Sequence, residues 1–152
     1  MLQPVALGDG LPLFAGLTAP FVLDLIEARA YADGAGLLAE ADRMLLTVVP
    51  DTRGRWPRAC AWLIRMALEK VLDDYWARVL PEAAGCGMRP QLLLLPRYAD
   101  VVTAGQARDA WLGLARATHH HAYDLAPTAA ELRRWHNQVS AIATRLAESQ
   151  TD

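Results

Sequence analysis

Toward the end of the chain, apolar residues recur at alternating steps of three and four: Leu132, Trp135, Val139, Ile142 and Leu146. That spacing puts all five on one face of a helix, a seam for packing against another helix. Thr128 and Glu131 stand three apart just ahead of it, with Pro127 outside, which is the pattern of a capping box. The two marks together predict a helix that begins after Thr128.

A second helix is expected from about Trp56 to Leu80, with Pro57 at its start and Pro81 beyond its end. Leu63, Ile64, Ala67, Leu68, Val71, Leu72, Tyr75, Trp76 and Val79 cover more than half its circumference. Arg58, Arg65, Glu69 and Asp73 are confined to a narrow polar strip. A helix this apolar should be central and touch at least two neighbours. A third helix is expected from near Ala104, with the stripe Ala107, Ala110, Trp111 and Leu114; it runs through Arg116 into the histidines and stops before Pro127.

The first helix is expected to start near Thr18, a candidate N-cap with Pro20 just inside, and to run to about Val49. Gly34 and Gly36 weaken its middle and predict a break there. Leu37, Leu38, Ala41, Leu45 and Val48 form the stripe of its second half. Residues 1–17 read as an irregular arm that docks through Leu11, Leu13 and Phe14. Residues 81–103 carry Gly85, Gly87, Pro90 and Pro96 and read as a long connection, in which Leu92–Leu95 suits either a short buried helix or a strand. No internal repeat appears. The expectation is an all-α fold: the arm, then a single helical domain over residues 18–152, an up-down bundle of four or five helices.

Composition adds limits. The 152 residues suit one domain with a core of its own. The net charge is −2, so the whole molecule is not a polycation. The charge is unevenly spread, though: Asp9, Asp24, Glu27, Asp33, Glu40 and Asp42 crowd the first third, while Arg53, Arg55, Arg58, Arg65 and Lys70 follow. A local basic surface is therefore compatible with the overall balance. Cys60 and Cys86 form no C-x-x-C pair and read as reduced thiols. The N-terminus lacks the basic and apolar regions of a signal peptide, and apolar runs such as Leu92–Leu95 fall far below the roughly 18 residues needed to span a bilayer. These features lead to the expectation of a cytoplasmic protein without a membrane partner.

The unusual segment is Arg116-Ala117-Thr118-His119-His120-His121-Ala122-Tyr123-Asp124. It joins a permanent cation, imidazoles and a phenol. Cleavage of RNA by intramolecular attack of a 2′-hydroxyl needs such groups. A base near neutral pH removes the hydroxyl proton, which suits His. A guanidinium meets the charge that grows on phosphorus, without losing its own. Neither metal nor cofactor is required, and none is expected. Consecutive histidines diverge around a helix, and no H-x-x-x-H pair is present, so a metal-binding helical enzyme is a distant third reading.

Arg116, four residues, His121, one residue and Tyr123 read R-x-x-x-x-H-x-Y, which resembles the signature of HEPN domains, in particular the toxins paired with minimal nucleotidyltransferase antitoxins. The helix around Arg65-Met66-Ala67-Leu68-Glu69-Lys70 is similar to the "R-x-A-L-E-K" helix of that family, and Tyr123-Asp124-Leu125-Ala126-Pro127 ahead of a capped helix is similar too. The resemblance spans roughly residues 20–147. It implies a HEPN-like homodimer that acts on RNA as a metal-independent endoribonuclease, in the role of a toxin or defence effector. It places Arg116 as phosphate binder and transition-state stabiliser, His121 as general base or acid, and Tyr123 as the position that a partner nucleotidyltransferase adenylylates. Arg58 and Arg65, on the polar strip upstream, are candidate RNA-binding cations.

A five-residue step turns a straight helix by about 140°, so Arg116 and His121 of one chain do not share a face. His120, one turn on from Arg116, does share it and is a second candidate catalytic imidazole. Either the helix ends within the segment or the pairing is completed across a dimer. One departure from the family pattern is Ala117, where a polar residue, often Asn, usually follows the Arg. With the near-neutral charge it supports a rival reading, a non-catalytic HEPN-fold module that binds RNA or another protein.

Overall fold

The computed structural model describes residues 33–47, 56–118 and 125–149, and every regular element among them is helical. In chain order these are α1 (Gly34–Leu46), α2 (Trp56–Val79), α3 (Met88–Leu94), a 3₁₀ turn (Leu95–Arg97), α4 (Val101–Thr118) and α5 (Ala129–Glu148). The expected arm over residues 1–17 and the cap at Thr18 lie outside the described residues.

The 24-residue α2 is the axis of the bundle. Cys60, Ala61, Leu63, Ile64, Ala67, Leu68, Leu72, Tyr75 and Trp76 are all buried, and α2 packs on each of the other four helices. The width of its apolar face requires this, since one neighbour covers only one stripe. Each fully buried Leu or Ile contributes about 1.5–3 kcal/mol relative to exposure.

Around this axis, α1, α4 and α5 bring their own stripes inward: Leu37, Leu38 and Ala41 from α1, Ala107, Ala110 and Leu114 from α4. Met44 joins them, although it falls outside the expected stripe. The seam of α5 is buried throughout, with Trp135 at 8% exposure and Val139 at 0%. The capping box forms in both directions: Glu131 N–H donates to Thr128 Oγ1 at 3.2 Å, and Thr128 N–H donates to Glu131 Oε2 at 2.8 Å. Donation from the Thr128 N–H, and next from its hydroxyl, holds the Glu131 carboxyl below its ordinary value.

Two glycines set the spacing between helices. The expected break at Gly34 is the N-terminus of α1, where Asp33 Oδ1 accepts from Gly36 N–H at 2.8 Å. A Cβ at Gly34 would lie 2.8 Å from Val71 Cγ2 and 3.1 Å from the Ala67 carbonyl, so only glycine lets the start of α1 rest on α2. A Cβ at Gly113 of α4 would lie 2.9 Å from Nε1 of Trp135, whose indole lies against the α4 backbone. Polar contacts then fix registers. Arg133 pairs with Asp42, and a His136 ring N–H donates from Nε2 to the Leu38 carbonyl at 3.0 Å, joining α5 to α1. The Gln106 carbonyl and side chain accept from Gln138 at 2.9 Å and Arg145 at 2.6 Å, joining α5 to α4.

The stretch expected as a long connection holds a short helix and a turn. Of the two options for Leu92–Leu95, the helical one is realised, with Leu92 and Leu95 buried. Gln91 is buried beside them and donates to Asp73 Oδ1 at 2.6 Å and to the Cys86 carbonyl at 3.0 Å. The Tyr75 hydroxyl donates to the Tyr98 carbonyl at 2.8 Å, and Trp76 meets the rings of both tyrosines edge-on. The helix α4 begins at Val101, three residues before the expected start, because Asp100 caps it through Thr103 N–H at 2.8 Å.

Replacing Gly34 or Gly113 by Ala is expected to destabilise the fold by about 1–3 kcal/mol through overpacking. Gly105 of the same α4 meets nothing within 4 Å, so its replacement by Ala is expected to stabilise by about 0.5–1 kcal/mol through helix propensity alone. Urea unfolding of the three variants checks this, and a common sign for all three would contradict it.

Candidate functional site

The last turn of α4 begins the segment that carries the candidate chemistry. Arg116 sits in that turn and is exposed. Ala117 is half-buried and packs against the core, so the residue after Arg116 turns inward. The Thr118 hydroxyl donates back to the Leu114 and Ala115 carbonyls, each at 3.0 Å. His119, His120, His121, Tyr123 and Asp124 lie outside the described residues.

Two of the expected cations meet this turn from α2. Arg58 Nη1 donates to the Ala117 carbonyl at 3.4 Å. Arg65 Nη1 donates to Thr118 Oγ1 at 3.2 Å, while its Nε donates to Glu69 Oε1 at 2.8 Å. The Arg65 guanidinium also lies over the Trp111 ring, 5.9 Å from the ring centroid. The last carbonyls of a helix lack intrahelical donors and carry the negative end of its dipole. Two guanidinium groups lie at that end, where their charge opposes the dipole. The structure thus brings Arg58 and Arg65 to residues 117 and 118, with their described donors directed at protein atoms rather than presented to solvent.

The sequence pattern puts these arginines on the polar strip of α2 but carries no sign of their pairing with Trp111 and Thr118. The Arg65–Glu69 pair is legible as an i, i+4 contact. The contacts between helices depend on the rotation of α4 against α2, for which the sequence carries no local mark.

The two thiols differ sharply. Cys60 is buried, its Sγ faces the Ala41 carbonyl at 3.6 Å, and burial pushes its thiol up to about 12. Cys86 is exposed. Among the described residues no three His, Cys, Asp or Glu side chains cluster as a metal site would require, and no helix is long and apolar enough to cross a membrane. Comparison with protein-family models, with curated proteins and with solved structures finds no match to this chain.

A thiolate-selective disulfide reagent at neutral pH is expected to titrate one thiol in the native protein, Cys86, and the second only after denaturant is added. Equal rates for both thiols in the folded protein would show that Cys60 is not shielded as described.

Proposed function

We propose that the chain is a HEPN-type, metal-independent endoribonuclease that works as a homodimer, in the role of a toxin or defence effector. The observation that carries this reading is the R-x-x-x-x-H-x-Y pattern of Arg116, His121 and Tyr123 in the sequence, with Arg116 in the last described turn of α4. The all-helical bundle and the exposure of Arg116 support it. Arg116 binds the scissile phosphate and stabilises the charge that develops on it. His121, or His120 by helical geometry, takes the proton from the 2′-hydroxyl. Tyr123 is the position that a nucleotidyltransferase antitoxin modifies. The two segments of the dimer share one cleft, which resolves the angular mismatch between Arg116 and His121.

A second reading, a non-catalytic HEPN-fold module that binds RNA or protein, is favoured by Ala117. An apolar side chain that packs against the core stands where the family pattern places a polar group beside the catalytic Arg.

Incubation of the purified protein with single-stranded RNA in EDTA separates the two. The ribonuclease reading expects products ending in a 2′,3′-cyclic phosphate, and a rate lowered by about 10²- to 10⁴-fold in His121→Ala. Arg116→Lys is also costly, because an ammonium lacks the planar fork. A larger loss in His120→Ala than in His121→Ala would assign the base to His120. No cleavage by the wild type across a broad RNA panel would leave the binding module as the better account.

A further inference from the structure

Arg58 and Arg65 are seven residues apart and therefore share a face of α2. Both reach the same end of the same neighbouring helix. Arg65 is fixed from three directions: by Glu69 through Nε, by Thr118 through Nη1 and by the face of Trp111. A planar guanidinium meets all three at once, because its donors diverge within one rigid plane and that plane lies over the indole, whereas an ammonium has no flat face to lay there. Thr118 is held as firmly. Its single hydroxyl proton is shared between the Leu114 and Ala115 carbonyls, which turns a lone pair toward Arg65. The clamp closes on residues 117 and 118, and the next residue in the chain is His119.

We infer that Arg65, with Arg58, is a positioning clamp that holds the last described turn of α4, the turn that carries Arg116 and after which His119 follows in the chain. Only the catalytic consequence rests on the ribonuclease reading: there, Arg58 and Arg65 act through the placement of the imidazoles relative to Arg116, not as phosphate ligands. The clamp also accounts for why two cations on a largely apolar helix are turned toward a helix end.

The test reads the histidine ring signals of the full chain by ¹H–¹³C NMR, for the wild type, Arg65→Gln, Arg65→Lys, Thr118→Val and the Arg65→Gln/Thr118→Val double variant. His136, held to Leu38 on α5, is the internal control. The clamp predicts that signals of His119–His121 move in each variant while those of His136 stay. It also predicts that the double variant shifts no further than the singles, and that Lys does not restore the wild-type positions. Unmoved His119–His121 signals in folded Arg65→Gln and Thr118→Val would overturn it. Should Arg65→Gln not fold, the isosteric Thr118→Val decides alone.

RNA cleavage by the same proteins gives a second readout. A positioning role lowers kcat by about 10- to 10²-fold, as small misplacements of reacting groups do, and leaves KM within about two-fold. A raised KM with unchanged kcat, and a salt dependence shallower by about one phosphate contact, would make Arg65 an RNA ligand and overturn the positioning role. A wild type that cleaves no RNA while its histidine signals respond as described would retain the clamp and remove the ribonuclease reading.

Discussion

The burial of α2 on nearly every side is the constraint on which the remaining structure depends. An apolar face that covers more than half a helix cannot be satisfied by one partner, and here α1, α3, α4 and α5 all pack against it. Each neighbour is amphipathic and gains a core only by facing α2. Small side chains at Ala61, Ala67, Ala107 and Ala110 and the bare backbone at Gly34 and Gly113 let the helix axes approach, while Trp76, Leu68, Leu72 and Trp135 fill the remaining space. Close packing of this kind tolerates little change in volume.

Because α2 is both the most enclosed helix and the source of Arg58 and Arg65, the end of α4 is tied to the best-supported part of the molecule. Arg116 stands on that same turn, but on the solvent side. A cation open to solvent is thus mounted on backbone that is held from behind. Precision in a site comes from the groups that support it as much as from those that touch the substrate. The inward Ala117, packed against the core, belongs to that support.

Much of the scaffold was legible in the chain. The α5 seam and its capping box formed as expected because both are local patterns, complete within a few turns. The centrality of α2 followed from the breadth of its apolar face. The weak point at Gly34 and Gly36 was located correctly: α1 starts there, and its glycine also admits close approach to Val71 and Ala67, a fact about a neighbour that no local pattern carries. The early start of α4 was missed because Val101 and Val102 are β-branched and mask the cap at Asp100. For the candidate site, the sequence singled out Arg116, His120, His121 and Tyr123 and the two arginines of α2. It could not show that Arg58 and Arg65 converge on Ala117 and Thr118, since that depends on how two distant segments rotate against each other.

The central place of α2 is tested most directly by native-state hydrogen exchange followed along the chain. Amides of α2 between Leu63 and Leu72 are expected to exchange most slowly, and only through unfolding of the whole bundle, with α1, α4 and α5 opening at equal or lower free energy. Amides of α4 or α5 that outlast those of α2 would contradict that arrangement.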